Sequence, residues 1–329
     1  MSDRNKASIE RLIDTFEQNF KLTRLYSSYL ETCPKLITAE MVNELTEGGD
    51  LSREEAITAL LSEVFGLNYD KAEDRRLIMD YISPSIRILD AKKYEADPYY
   101  KNIDLKDLTD GSWEIRWEKY DPYQAVICHD MIINENFSEI APLGFFPEGF
   151  SFPAILENGN EWMTLTPVDL DTCEEAIAAA RGRVVTFGLG LGYYAYMASE
   201  KEEVESVTVV ELSPEVIALF EKHILPQMPN RHKIRIVNMD AFKYAEEVMP
   251  GESFDLAFVD TWRDASDGAP MYRRMKSLEH LSGNTEFLYW VEGFLRSRCR
   301  AEEMNLIMDR LDNGEELSYE EITRIIGRI

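Results

Sequence analysis

A run of apolar residues followed by three alternate glycines is the part of this sequence best suited to bind a ligand. It reads Val184-Val-Thr-Phe-Gly188-Leu-Gly190-Leu-Gly192-Tyr-Tyr-Ala, which predicts a buried strand, a tight turn and the start of a helix. Because glycine has no Cβ, such a turn lets a ligand approach the backbone closely. A glycine-rich turn is also typical of tight packing alone, so its neighbours decide between the two interpretations.

Acidic residues follow the next predicted strands. Glu211 ends the second strand, about twenty residues after the glycines, where a carboxylate can accept hydrogen bonds from both hydroxyls of a ribose. Asp240 follows the third strand and Asp260 closes the fourth. Taken singly, these residues could be a solvated acid, a helix cap and the start of a loop. Ligands of open α/β sheets bind at the carboxyl ends of the strands, so their joint occurrence favours a binding site.

These motifs cover roughly residues 170–291 and resemble, in order, those of the class I S-adenosylmethionine-dependent methyltransferases. The resemblance implies S-adenosyl-L-methionine as the cofactor. Within that superfamily the sequence is most similar to the spermidine synthase-like branch, whose turn also has three alternate glycines and whose fourth strand ends in an aspartate. The resemblance would place Gly188, Gly190 and Gly192 at the amino-acid end of the cofactor, Glu211 at the ribose, Leu212 beside the adenine, Asp240 and Ala241 at the adenine edge, and Asp260 at the reacting centre.

Three departures from the family pattern bear on the reaction. Thr186 stands two positions before the first glycine, where methyltransferases usually carry an acidic residue that contacts the cofactor's amino group. The loop after Asp260 lacks the acidic, proline-containing sequence by which spermidine synthases bind a diamine, which disfavours polyamine synthesis. Residues 292–329 read as helices, so we expect the sheet to lack the antiparallel strands usual at its end.

Methyl transfer from a sulfonium is an in-line displacement, accelerated mostly by holding the nucleophile and the methyl group aligned at about 3–3.5 Å. A carboxylate can take the proton of an amine or hydroxyl acceptor. Asp260 is the first candidate for this role and Asp264 the second. We therefore predict a methyltransferase whose acceptor, a small molecule or a protein, no motif identifies.

Three other functions stay open. Thr186 and Trp262 motivate a non-catalytic module that binds a nucleoside or a partner on the same fold. A spermidine synthase-like aminopropyltransferase is a further alternative. A nicotinamide dehydrogenase also has a strand, glycines, a helix and a later acid, but Tyr193 stands where its fingerprint requires the third glycine.

The elements that must position these residues alternate between helix and strand beyond Asp171, the signature of a parallel sheet built from crossover units. We predict an α/β fold: a Rossmann-like, doubly wound, mostly parallel sheet of the methyltransferase type, with an N-terminal helical and β-hairpin region. The predicted domains are an N-terminal helical region (1–110), a β-hairpin region (111–170) and a Rossmann-like S-adenosylmethionine-binding domain with a helical C-terminus (171–329). The predicted strands of the sheet are 183–187, 206–211, 233–237, 254–259 and one near 285–291.

Local patterns predict the elements before that domain. Apolar residues at helical spacing indicate an amphipathic opening helix, with Ile9, Leu12, Ile13, Phe16 and Phe20 on one face. Ser52 with Glu55, Asp70 with Glu73, and Ser318 with Glu321 have the spacing of capping boxes. Asn158-Gly159 is a strong turn dipeptide, so residues 152–156 and 161–165 are expected to pair.

Composition restricts the partners. The chain has 61 acidic and 35 basic residues, a formal net charge of −26 at pH 7, which disfavours nucleic acid as a partner. No stretch reaches the roughly 18 consecutive apolar residues of a spanning helix and no signal peptide is recognisable, so we expect no membrane association and a cytoplasmic location. The four cysteines are far apart and no histidine lies at zinc-ligand spacing, so we expect reduced thiols and no metal site. The sequence leaves the oligomeric state open.

Overall fold

The structure is a computed structural model that describes residues 3–105 and 107–328. The chain forms two compact units, each assembled from separate segments. The first unit contains residues up to 89, then 120–149 and the C-terminal part from 293; the second contains 90–119 and 150–292. The three consecutive regions predicted from the sequence stay a proposal about domain boundaries.

The helices, in chain order, are α1 (Asp3–Thr32), α2 (Ala39–Thr46), α3 (Arg53–Val64), α4 (Ala72–Leu77), α5 (Ser83–Ser85), α6 (Ala91–Glu95), α7 (Pro98–Asn102), α8 (Pro167–Ala179), α9 (Tyr193–Ser199), α10 (Pro214–Leu219), α11 (Ala241–Glu247), α12 (Ala265–Leu278), α13 (Glu292–Asp312) and α14 (Tyr319–Gly327). The strands are β1 (Ile86–Ile88), β2 (Leu108–Asp110), β3 (Trp113–Tyr120), β4 (Ala125–Ile127), β5 (Ile132–Ile133), β6 (Glu139–Ile140), β7 (Leu143–Phe145), β8 (Phe150–Glu157), β9 (Asn160–Thr164), β10 (Gly182–Phe187), β11 (Val204–Glu211), β12 (Ile234–Asn238), β13 (Leu256–Val259) and β14 (Glu286–Tyr289). Short π-helices cover Ile78–Ile82 and Phe220–Ile224.

The second unit is built on a parallel sheet with the strand order β12-β11-β10-β13-β14. Each neighbouring pair in this sheet is parallel, and helices connect the strands. The strands at the centre are apolar and buried on both faces, as in Val184–Val185 of β10 and Leu256–Val259 of β13. The predicted mixed α/β fold with a parallel sheet is confirmed.

The strand order reverses at β10, because the second and third strands lie on one side of it and the fourth and fifth on the other. The carboxyl ends of β10 and β13 therefore flank the point where the strand order reverses, which is where ligands bind in open α/β sheets. After β14 the chain continues into α13 and α14. Among the described residues, this sheet has no antiparallel strand, as the sequence predicted.

A second sheet of the same unit has the order β2-β3-β8-β9. Strands β8 and β9 are antiparallel, with Ala154 opposite Thr164, which confirms the predicted hairpin. Asn158 (φ 52°) and Gly159 (φ 78°) form its turn. These positive φ values are the ones that Asn and Gly tolerate best, so the dipeptide determines where the hairpin closes.

The first unit is mainly helical, with a small sheet in which β7 pairs in parallel with β1 and antiparallel with β4. Helix α1 forms as predicted, and Ile9 and Leu12 are buried together with residues of α13 and α14. Farther along α1, Leu22 and Tyr26 are buried in another cluster, on a different side of the helix. Because the buried side changes along α1, the prediction for Phe20 is wrong, and its side chain is 63% exposed.

Helix caps test two of the sequence predictions in this unit. The Ser52 hydroxyl accepts the Glu55 N–H and the Glu55 carboxylate accepts the Ser52 N–H, a complete capping box. The Asp70–Glu73 prediction is wrong, because α4 starts one residue later, with Lys71 at the N-cap and no side-chain cap.

Replacing Ser52 by alanine should destabilise the first unit by about 1 kcal/mol, because the Glu55 amide loses its acceptor. Asp70→Ala is the matched control and should change stability by less than about 0.5 kcal/mol. The measurement is urea unfolding followed by circular dichroism. Circular dichroism is used because the five tryptophans, at 113, 117, 162, 262 and 290, all lie in the second unit, so their fluorescence would not follow the first unit. Equal losses in the two variants would contradict the assigned cap.

Among the described residues, no helix combines the length and the apolar character that crossing a membrane requires.

Candidate functional site

The glycine-rich turn joins β10 to α9 in the second unit. Gly188, Gly190 and Gly192 have φ values of 101°, 52° and 77°, a region that residues with a Cβ rarely adopt. Gly192 is also the N-cap residue of α9. A Cβ at Gly188 would overlap the backbone carbonyl oxygen of Asp260, so the ends of β10 and β13 can approach this closely only with glycine there.

Glu211 ties the end of β11 to this turn. Its side chain is buried, and one carboxylate oxygen accepts the Leu189 N–H of the turn at 3.1 Å. The other oxygen accepts the Ser213 N–H at 2.7 Å. The carboxylate therefore orders the turn through two backbone hydrogen bonds, a role that the sequence did not predict.

Asp260 follows β13 on the other side of the turn. Its N–H donates to the Phe187 carbonyl at 2.8 Å, which continues the sheet by one residue. Among the described residues, none donates a hydrogen bond to its carboxyl group. Burial, with smaller contributions from the negative charges of Asp169 and Glu211, raises the pKa of this carboxyl to about 8. At neutral pH the side chain is mainly a neutral acid.

A second carboxyl group, which the sequence analysis missed, lies beside the first. Asp169 is in the first turn of α8 and accepts the Thr166 N–H at 2.7 Å and its hydroxyl at 2.8 Å. Burial raises its pKa to about 6, while the Thr166 bonds lower it. Burial also raises the pKa of the Cys173 thiol, one turn farther along α8, so this thiol is protonated. The Thr166-x-x-Asp169 spacing was readable as a capping pattern.

Asp260 and Asp169 face one small cavity of about 30 Å³. A space of this size holds about one or two waters, whereas pockets for small ligands measure about 300–1,000 Å³. The other residues around it are Met163, Leu165, Cys173, Thr186, Gly188, Leu189, Tyr193, Tyr194, Ala195, Phe258 and Trp290. The cavity is therefore small and lined by two carboxyl groups together with aromatic and aliphatic side chains.

The side chain of Met163, on strand β9, lines this cavity and contacts the glycine-rich turn. The Leu191 N–H of the turn points at the Met163 sulfur at 3.2 Å. A Cβ at Gly190 would overlap the same sulfur. The Met163 side chain thus occupies the concave side of the glycine-rich turn.

Helix α7 braces the turn from another direction. The Tyr99 hydroxyl, fully buried, donates to the Leu191 carbonyl at 2.5 Å. The Tyr193 hydroxyl donates to the Asp97 carboxylate at 3.1 Å, and burial raises the pKa of that carboxyl. This segment lies about ninety residues before the turn in sequence, too far for any local pattern to associate the two.

The remaining predicted residues lie farther from the cavity. Asp240 caps α11, where its side chain accepts the Lys243 N–H at 2.9 Å. The neighbouring Met239 N–H donates to the Glu211 carbonyl, so this strand end lies beside that of β11. Ala241 is buried at the start of α11, and Leu212 is 66% exposed.

Asp264 is the N-cap residue of α12 and is exposed. Hydrogen bonds from the Ser266 hydroxyl and N–H lower the pKa of its carboxyl. Trp262 is buried and stacks on Tyr289, with ring centroids 6.3 Å apart. The ends of the first four strands of the sheet thus meet along one edge, while Asp264 stabilises its own helix. Among the described residues, no group of His, Cys, Asp and Glu side chains is arranged to hold a metal ion.

Comparisons with known proteins give limited similarity. No family model matches the sequence. No curated protein matches it either. Among solved structures, the chain is similar to a "putative O-methyltransferase" from Klebsiella pneumoniae, with 17% identity, 32% of this chain and 46% of that chain covered, and a TM-score of 0.26. It is also similar to "a putative SAM-dependent methyltransferase" from Streptococcus mutans, with 15% identity, coverage of 45% and 43%, and a TM-score of 0.33. The match spans less than half the length of either protein.

Proposed function

We propose that the second unit binds S-adenosyl-L-methionine and that the protein is a methyltransferase of the class I superfamily, with a doubly wound sheet. One observation carries the proposal: the ends of three neighbouring strands meet at a single turn. Glu211 binds the Leu189 amide of that turn, and Gly188 lies against Asp260. A glycine-rich turn between two acids at a strand-order reversal is suited to a nucleoside ligand that carries a positive charge.

The chemistry of the residues present fits such a cofactor. The turn has no Cβ at Gly190, and its Leu191 N–H, which points at the Met163 sulfur, is an amide that a ligand can take over. The Glu211 carboxylate can accept ribose hydroxyl groups, and the Asp169 and Asp260 carboxyl groups favour a sulfonium cation. The cavity of about 30 Å³ is too small for this cofactor, so the Met163 side chain has to rotate away from the turn before the cofactor can bind.

S-adenosyl-L-methionine, when bound, supplies an electrophilic methyl group. The residues of the chain have to orient the acceptor and manage its proton. Asp260 is our first candidate to accept that proton, and a nearby cation must first lower its raised pKa. Asp264 is the weaker candidate, since its carboxylate already accepts two hydrogen bonds from Ser266.

The spermidine synthase-like branch is our proposal for the place of this chain in the superfamily, on the three alternate glycines and the aspartate after the fourth strand. Aminopropyl transfer itself is disfavoured, because the segment after Asp260 forms the N-cap and first turn of α12. We propose that the acceptor of the methyl group is a small molecule or a protein.

A non-catalytic binding module is the second candidate, and two observations favour it. Thr186, buried beside the cavity, has no charge to hold an amino group. Met163 fills the concave side of the turn. A chain that had lost methyl transfer would keep the turn and Glu211, and it would bind a nucleoside without reacting.

Calorimetric titration of the full chain with S-adenosylmethionine, S-adenosylhomocysteine and NADH tests the proposal. We expect both sulfur nucleosides to bind and NADH to give no heat. Glu211→Gln should weaken binding about tenfold or more, because a hydrogen bond to a charged group contributes about 1.5–3 kcal/mol. Glu215→Gln, an exposed acid four residues later, is the matched control and should leave the affinity unchanged.

The outcomes separate the candidates. Transfer of labelled methyl groups to any component of a cell extract supports the enzyme. Binding without transfer supports the non-catalytic module. Aminopropyl transfer from decarboxylated S-adenosylmethionine would replace both. Tight NADH binding with no response to either sulfur nucleoside would overturn the proposal.

A further inference from the structure

The contact between Met163 and the glycine-rich turn has the geometry of a bound ligand. The turn presents the Leu191 N–H to the Met163 sulfur at 3.2 Å, and Gly190 leaves just enough space for that sulfur. The atoms bound here are the thioether and terminal methyl of a methionine side chain. The cofactor proposed for this turn also carries a methyl-bearing sulfur, as the sulfonium that joins its methionine and adenosine parts.

We propose that Met163 is an intramolecular competitor: its side chain occupies the turn in the free protein and must leave before the ligand enters. The inference rests on the proposed function, since it names what blocks the same site. A residue of strand β9, outside the glycine-rich turn, would then lower the affinity of the turn for its ligand.

The backbone around Met163 is fixed, so the side chain alone can move cheaply. Two residues later, the Leu165 N–H donates to the Pro153 carbonyl at 3.0 Å and the Leu165 carbonyl accepts the Tyr100 hydroxyl at 2.6 Å. One residue earlier, Trp162 packs edge-on against Trp113, with ring centroids 5.4 Å apart. Met163 itself is partly exposed, and methionine has three rotatable side-chain bonds. A rotation about these bonds clears the turn without opening the hairpin.

The exchange is chemically reasonable because the present contact is weak. A thioether sulfur is a poor hydrogen-bond acceptor, so the Leu191 amide gains when a carboxylate or hydroxyl oxygen of a ligand replaces it. With Met163 in this position, the cavity that it lines together with Asp169 and Asp260 measures only about 30 Å³. A ligand that offers the Leu191 amide a better acceptor is therefore expected to displace the Met163 side chain.

Molecules in which Met163 occupies the turn cannot bind the ligand, so the observed affinity falls as their fraction rises. When only a fraction of the molecules has the turn free, the apparent dissociation constant is the intrinsic one divided by that fraction. Removing the Met163 side chain beyond Cβ should therefore tighten binding without adding any contact to the ligand. Leucine, which refills the space with a similar volume, should preserve the block.

The test compares S-adenosylhomocysteine affinity in wild type, Met163→Ala and Met163→Leu by calorimetry. We expect Met163→Ala to bind about tenfold tighter than wild type and Met163→Leu to stay within about threefold of it. Met79→Ala removes a methionine that is 56% exposed in the first unit, and it serves as the matched control with unchanged affinity. Equal affinity in wild type and Met163→Ala would overturn the inference while leaving the proposed function intact.

A readout without ligand distinguishes the two claims further. Cys173 lines the cavity that Met163 closes and is buried. Its rate of labelling by a maleimide should increase several-fold in Met163→Ala, whereas the buried Cys299 should react as in wild type. An unchanged Cys173 rate would contradict the block. If no variant binds either sulfur nucleoside, the proposed function fails and the competitor role fails with it.

Discussion

Gly188→Ala is expected to lower the stability of the second unit by about 3 kcal/mol or more, a large effect for the addition of one methyl group. Two costs add at this position. Its φ of 101° lies where residues with a Cβ are strained, at about 1–2 kcal/mol. The new Cβ would also overlap the carbonyl oxygen of Asp260, and this backbone atom cannot move without disturbing the sheet bond from the Asp260 N–H to Phe187.

The matched control is Gly111→Ala in the same unit. Gly111 also has a positive φ, 65°, but a Cβ there would meet nothing within 4 Å. The free energy of unfolding of this variant should therefore fall by only about 1 kcal/mol, because the strain of a Cβ at positive φ is its single cost. Tryptophan fluorescence during urea unfolding measures both, because the five tryptophans all belong to the second unit. Similar losses at the two positions would show that the close approach of β10 and β13 at Gly188 is not real.

The order of strands and helices in the second unit was readable from the sequence because local signals determine it. Apolar runs such as Val184–Val185 and Leu256–Val259 predicted buried strands, and the glycines after the first of them predicted the turn. The observed bounds agree to within a few residues. In the first unit, the predicted Ser318–Glu321 capping box is present at the start of α14. The convergence of the four strand ends then followed from the parallel sheet itself.

The contents of the cavity were not readable, because they come from contacts between residues far apart in the chain. Asp169 lies 91 residues before Asp260, and Tyr99 reaches the turn from α7. No spacing rule links such positions. The errors in the first unit have a similar origin: whether Phe20 is covered depends on which helices return to α1, and this information is absent from the local pattern.

Replacing Asp260 by asparagine should stabilise the second unit increasingly as the pH rises. The folded protein holds the Asp260 proton up to about pH 8, whereas the unfolded chain releases it near pH 3.8. Between these values the native state binds more protons, so the stability of the wild type falls with increasing pH. Asparagine has no proton to lose, and the difference between the two proteins should grow by about 4 kcal/mol between pH 5 and pH 9.

Asp264→Asn is the matched control, since it makes the same change four residues later. Its pKa is lowered, so its contribution is lost only as the pH falls through the acidic range, and the effect of the substitution should be constant between pH 5 and pH 9. Urea unfolding followed by tryptophan fluorescence at several pH values measures both variants. If the stability of Asp260→Asn and that of the wild type changed in parallel with pH, the Asp260 carboxyl group would be solvated and would not be buried in the cavity.

The same proton should report the charge of the ligand. A sulfonium beside Asp260 lowers its pKa, so binding of S-adenosylmethionine near pH 7.5 should release a proton, and the neutral thioether of S-adenosylhomocysteine should release much less. Calorimetry in two buffers of different ionisation enthalpy measures that release. In Asp260→Asn the difference between the two ligands should disappear. Because Asp169 remains in this variant, a difference that persisted would assign the proton to Asp169, and the proton-accepting role proposed for Asp260 would pass to it.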